Sequence, residues 1–139
     1  MTKRQPLSDG ETELMKSLWT LVEATVPNLV LALNKRRQED PITRGTIQVL
    51  LNRIEAKGWL NRKKVGRGYV YEASVSEADG LAELASQFRA KVFDGSSLRL
   101  VQSLVNANGL TKEDIAHLRA LLDRTEASLK ERQMIDSIF

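Results

Sequence analysis

The sequence predicts a mainly α protein with a small β-hairpin, a winged helix-turn-helix at 1–74 followed by a helical dimerisation domain at 75–139. Three observations predict it. Ile47, Leu50, Leu51 and Ile54 recur at three- and four-residue spacing, which makes one apolar stripe on a helix. The other face carries Thr43, Arg44, Thr46, Gln48, Asn52 and Arg53, all able to hydrogen-bond and none acidic. Directly after Gly58, two strand-like runs, Trp59–Val65 and Tyr69–Ala73, flank Gly66-Arg67-Gly68, a tight turn with a cation at its tip. Beyond Ala73 the chain carries apolar helical stripes that three short helices cannot bury on one another. A polar, basic helix followed at once by a basic hairpin has the order of a recognition helix and its wing.

The elements follow in chain order. Residues 1–7 are expected as a loose arm from which Lys3 and Arg4 can meet phosphates. Ser8-Asp9-Gly10-Glu11 is a capping box. It opens a first helix running to about Ala24, with Leu14, Met15, Leu18, Trp19 and Val22 on its apolar side. Thr25-Val26-Pro27 starts a second helix, with threonine as cap and proline in the first turn, where its missing amide costs nothing. Leu29, Val30 and Leu33 face inward. Lys35, Arg36 and Arg37 complement the second helix's C-terminal dipole and can also approach a phosphate backbone.

Glu39-Asp40-Pro41 breaks the chain before the third helix, which Asp40 or Thr43 can cap. In helix-turn-helix geometry the first turns of this helix reach base edges, so Thr43, Arg44, Thr46 and Gln48 are the candidate readers. Gly45 allows close backbone approach at a cost of roughly 1 kcal/mol of helix propensity. Gly58 after Lys57 stops the helix. Arg62, Lys63, Lys64 and Arg67 form a cationic wing suited to phosphate contact. One face of Tyr69-Val70-Tyr71 should be core.

Ser76-Glu77-Ala78-Asp79 opens a fourth helix with Leu81, Leu84, Ala85, Phe88 and Val92, and Phe93-Asp94-Gly95-Ser96 ends it and caps a fifth. The fifth carries Leu98, Leu100, Val101, Leu104 and Val105. Thr111-Lys112-Glu113-Asp114 starts a sixth with Ile115, Leu118, Leu122, Thr125 and Leu129. Each fully buried Leu or Phe is worth about 1.5–3 kcal/mol, so burial against a second copy of the chain is the economical arrangement. Leu84, Phe88, Val92, Leu98, Val101, Leu104, Ile115, Leu118 and Leu122 are the expected dimer contacts. The alternative is that these helices fold back on the reading head as one compact monomer.

A length of 139 residues suits one domain, or a small domain with an appendage. The net charge of +3 is unevenly spread. Residues 1–73 hold thirteen Lys/Arg against eight Asp/Glu, a net of +5, and residues 74–139 hold eight against ten, a net of −2. The positive half is the one with the helix and wing, as a polyanionic partner requires. No run of eighteen apolar residues suggests a membrane span, no apolar core follows Met1-Thr2-Lys3-Arg4, and a cytoplasmic location is expected. Zero cysteines exclude a disulfide, a thiol sensor and a thiolate metal site. His117 stands alone, no phosphate-cradling loop or nucleophile motif occurs, and no catalytic residue, metal site or cofactor is expected.

Four ordered motifs then resemble the penicillinase-repressor family: LSDGETELMKSLW at Leu7–Trp19, TIQVLLNRIEAKGWL at Thr46–Leu60, GRGYVYEASVS at Gly66–Ser76 and VFDGS at Val92–Ser96. That family includes the β-lactamase and methicillin-resistance repressors and copper-transport repressors of bacteria. The resemblance, spanning roughly Leu7 to Leu122, implies a homodimeric repressor on palindromic operators with TACA/TGTA-type half-sites. It implies DNA contact at Thr43, Arg44, Thr46, Gln48 and Arg67, and a dimer interface from Leu81 onward. Two departures bear on the inducing signal. Where the antibiotic-responsive repressors are cleaved at an Asn-Phe bond, this chain has Ser103-Leu104, and it lacks the C-terminal cysteines of the copper-responsive ones.

The sequence therefore reads as a DNA-binding transcriptional repressor whose inducer or inactivating protease is not named by its residues. Its rivals are a winged-helix protein-interaction module and a small-molecule-responsive regulator. The cationic wing tip and acid-poor recognition face favour DNA over a protein partner.

Overall fold

The computed structural model describes residues 4–138, so the expected phosphate contact of Lys3 lies outside the described residues. The chain forms two compact units, Met1–Lys91 and Val92–Phe139. The first is built on local capping chemistry. Helix α1 (Asp9–Leu21) starts at Ser8, whose hydroxyl accepts from the Glu11 amide while the Glu11 carboxylate accepts from the Ser8 amide. It ends earlier than the expected Ala24. Val22 turns to φ 72, and Glu23–Ala24 leaves as a short strand, β1. Helix α2 (Val26–Arg36) is capped by Thr25 with Asn28 completing the box and Pro27 in the first turn. Thr43 caps α3 (Arg44–Ala56), accepting from the Thr46 amide at 3.2 Å. Gly58 takes φ +91, the left-handed conformation that lets the helix stop there.

Strands β2 (Leu60–Val65) and β3 (Gly68–Ala73) pair antiparallel from Leu60↔Ala73 to Val65↔Gly68. Two residues therefore make the turn. Gly66 holds φ +64 at its first position, as type II′ turns require. The sheet has three strands in the order β1-β3-β2, with Glu23 and Ala24 opposite Glu72 and Tyr71. Trp59 lies just before β2 and is fully buried, with its indole N–H donating to the Gln5 carbonyl at 2.7 Å.

Three helices and the sheet enclose one core: Leu14, Met15 and Leu18 of α1, Leu29 and Leu33 of α2, Ile47, Leu51 and Ile54 of α3, and Trp59, Leu60 and Tyr71. The α3 stripe is the one expected, with Leu50 partly buried beside it.

The arm is docked from Arg4 onward, contrary to the loose segment expected. Arg4 donates to both Glu83 carboxylate oxygens, through its backbone amide and its Nη1, each at 3.0 Å. Its Nε donates to the Gly58 carbonyl, and its guanidinium lies 5.8 Å from the Trp59 ring centroid. Gln87 closes the contact by donating to the Arg4 carbonyl. Glu83 and Gln87 belong to α4 (Glu77–Val92), which also meets the Trp19 side chain at Gly80. A Cβ on Gly80 would stand 2.8 Å from Trp19 Cη2, so only glycine admits the indole. The first compact unit thus takes in most of α4.

In the second unit, Asp94 (φ 51) and Gly95 (φ 84) turn the chain into α5 (Ser97–Asn106), capped by Ser96. Thr111 and Asp114 cap each other's amides at the start of α6 (Lys112–Ile138). Neither α5 nor α6 buries a residue. Among the described residues, no helix is long and apolar enough to cross a membrane.

Candidate nucleic-acid interface

The candidate readers separate into two groups. Thr43, Arg44 and Thr46 occupy the start of α3 and are exposed. Thr43 is also the cap, and its hydroxyl donates to the Thr46 hydroxyl at 3.1 Å. Arg53 is exposed in the last turn. Lys63 and Lys64 are exposed on β2, and Arg67 is exposed at the hairpin tip. Among the described residues, none of these five cations is in an ion pair. They leave positive charge directed at solvent near the start of α3 and along the wing.

Gln48, Asn52 and Arg62 behave differently, because they bind one another. Spacings of four and three put Gln48, Asn52 and Glu55 on one face of α3, the face beside β2 and β3. Arg62 of β2 donates through Nε to both Glu55 oxygens, at 3.0 and 3.1 Å, and through Nη2 to Asn52 Oδ1 at 2.7 Å. Gln48 Nε2 donates to Asn52 Oδ1 and to the Tyr71 hydroxyl, both at 3.1 Å. The Arg62 guanidinium lies 5.3 Å from each of the Tyr69 and Tyr71 ring centroids, within cation–π range. The Glu55 hydrogen bonds are the main reason its pKa is raised above the ordinary arginine value. Of the four wing cations, Arg62 is thus held within the protein.

Tyr71 and Glu55 complete this hydrogen-bonded cluster and were outside the expected set of DNA-contact residues. The four-and-three spacing from Gln48 to Glu55 was the available signal. An open groove of about 380 Å³ runs between the start of α2, Arg44 and Gln48 of α3, and Tyr69 and Tyr71 of β3. At the end of α2, Lys35 and Arg36 are exposed, while Arg37 is paired with Glu13 at 2.9 Å.

The expected dimer contacts also separate. Leu84 packs against the core of the first unit. Phe88 and Val92 on α4, Leu98, Val101 and Leu104 on α5, and Ile115 and Leu122 on α6 are exposed, and Leu118 is half-buried. Val105, Leu121, Leu129 and Met134 add exposed apolar surface that the expected set omitted. His117 is exposed, and among the described residues no group of three His, Asp or Glu side chains is placed to hold a metal.

The chain matches one family model and is similar to two curated relatives and one solved structure. A family model described as penicillinase repressor matches residues 7–124. The penicillinase repressor of Bacillus licheniformis is 29% identical over 131 residues, covering 94% of this chain and 100% of that one. The methicillin resistance regulatory protein MecI of Mammaliicoccus sciuri is 29% identical over 122 residues, covering 88% and 97%. Among solved structures, that of monomeric Bacillus licheniformis BlaI in complex with the blaP half-operator is 35% identical. It covers 57% of this chain and 93% of that one, with a TM-score of 0.45.

Proposed function

Because the chain belongs to the penicillinase repressor family, a family of DNA-binding transcriptional repressors and not of enzymes, we propose that it represses as a homodimer on a palindromic, promoter-overlapping operator. The observation that carries the DNA reading is the set of solvent-directed cations, Arg44, Lys63, Lys64 and Arg67, around a recognition helix whose first turn holds no acid. Phosphate contacts from the wing and from Lys35 and Arg36 supply most of the affinity. The first turns of α3 supply the base choice.

The dimer reading is supported by α5 and α6, which bury no residue and expose most of their apolar side chains, Leu100 and Leu118 being half-buried. Left in water, such surface is costly, and an isologous pair would cover it on both copies. Two reading heads related by a two-fold axis meet a palindrome. The site of action is the cytoplasm of a bacterial cell, where the operator is.

The test measures anisotropy of the purified chain on a palindromic TACA/TGTA duplex and on a scrambled one at one fixed salt, with sedimentation for the oligomeric state. A preference of roughly a thousandfold or more is expected, by a species of twice the chain mass. Equal binding to both duplexes would remove the operator assignment, and a monomer at micromolar concentration would remove the dimer.

A further inference from the structure

We propose that Gln48 reads a base as a fixed hydrogen-bond acceptor, its amide orientation being imposed from the wing through Glu55, Arg62 and Asn52. The inference rests on the DNA-binding reading above and adds the chemistry of one contact. It starts from a donor that has no alternative. A guanidinium has five N–H groups and no acceptor. Because Arg62 Nη2 donates to the Asn52 side chain at 2.7 Å, the Asn52 atom facing it must be the carbonyl oxygen. Gln48 meets that same oxygen at 3.1 Å, and so must present its NH2. The second proton of that NH2 goes to the Tyr71 hydroxyl, and Tyr71 is 1% exposed and fixed in the core. Glu55, with two oxygens on Arg62 Nε, fixes the head of the relay.

Both Gln48 donors are thereby used inside the protein, and Oε1 is the atom left without a partner among the described residues. A free glutamine pairs bidentately with adenine, accepting from N6 and donating to N7. The held one can only accept. Its partner is the exocyclic amine of adenine or cytosine on the major-groove edge, and N7 contributes nothing to its contact. The wing then acts on base choice without touching a base, by deciding which end of one amide faces out.

Two measurements test this. In the free protein, hydrogen exchange of the Gln48 side-chain amide by NMR reports the relay. Slow exchange is expected in the wild type, with faster exchange in Arg62→Met, where Asn52 is free to turn. Unchanged exchange in Arg62→Met overturns the relay. On DNA, the palindromic TACA/TGTA duplex is used with single bases lacking their exocyclic amine, and with 7-deazaadenine at each adenine. Loss of one amine is expected to weaken the wild type about tenfold, an effect of one hydrogen bond, and to have no effect on Gln48→Ala. Where that base is adenine, the 7-deaza change leaves wild-type binding unaltered and weakens Arg62→Met. Asn52→Asp, which can only accept, keeps the wild-type pattern. Equal dependence on N7 and on the amine in the wild type overturns the proposal, as does an amine pattern that survives Gln48→Ala. A wild type with no preference for the operator duplex overturns the operator assignment and the base contact together, while the exchange measurement still decides the relay.

Discussion

Lys57, the last residue of the recognition helix's C-terminal cap, donates through Nζ to the Glu11 carboxylate in the first turn of α1, where Glu11 is 2% exposed. The same carboxylate oxygen accepts from the Ser8 amide at 3.0 Å. Burial disfavours the charge. The hydrogen bonds and charge of Lys57, with the Ser8 amide, outweigh it and hold the carboxyl below its ordinary range. One side chain therefore caps α1 and fastens the end of α3 to it.

Removing the cation should destabilise the first unit. Lys57→Met leaves a buried carboxylate with only its capping bonds, at a cost of about 1–3 kcal/mol, below the full penalty of a buried pair because water reaches the Lys57 side. The pH dependence follows from the lowered pKa of Glu11. Its contribution is fully present above the unfolded value near 4.5 and is lost as pH falls through the lower folded value. Urea midpoints across the acid range check both statements. A wild-type midpoint for Lys57→Met at neutral pH would refute the fastening role.

Gly80→Ala should cost about 1–3 kcal/mol, because the added methyl meets the Trp19 ring with a calculated approach of 2.8 Å to Cη2. The double change with Trp19→Leu should recover part of the loss, since the ring that collides is gone. Thermal unfolding of the two single variants and the double variant gives the coupling. Strict additivity would show that the two residues do not meet.

Gly45→Ala separates folding from docking. In the free protein a Cβ there would meet only Thr43 Oγ1, at 3.9 Å, so alanine has room. It should raise stability by about 1 kcal/mol through helix propensity and weaken operator binding by crowding the DNA face. Parallel denaturation and anisotropy measurements check this. Tighter or unchanged binding would show that the backbone does not approach the duplex there.

Arg44→Ala and Lys64→Ala should fail in different ways. Arg44→Ala should cost about 1–3 kcal/mol on the operator and relax base choice at one position. Lys64→Ala should weaken specific and random duplexes alike and lower the salt slope by about one unit. Titrations at several salt concentrations on both duplexes distinguish them, and equal behaviour of the two variants would end the division between reading and positioning.

Features set by neighbouring residues were legible in the sequence. The Ser8 and Thr25 caps, the Gly58 stop and the Gly66 turn depend on contacts within a few positions and were readable, while the α3 cap was narrowed to Asp40 or Thr43, of which Thr43 is the one used. The missing parts depend on residues far along the chain. Strand β1 is two residues long and exists because Tyr71 and Glu72 lie opposite it. Nothing about Glu23 or Ala24 marks a strand. Arg4 looks like any cation of a basic arm until Glu83 and Gln87 are placed beside it. The candidate site shows the same limit. Thr43, Arg44, Thr46 and Lys64 are exposed, as a polar helix face and a wing suggest. Asn52 and Arg62 read identically by residue type, yet the fold gives them to each other.

The docking of Arg4 has a consequence for the order in which the chain is made. Its partners Glu83 and Gln87 stand 79 and 83 positions later. At about 5–20 residues per second, synthesis takes several seconds to deliver them. Until they arrive, Arg4 can reach only its earlier partners, the Gly58 carbonyl and the Trp59 ring, while Gln5 is met by the Trp59 indole. Arg4 is therefore fully secured only once Gln87 has been made, and a chain released before Gln87 would carry a reading head with this seam open.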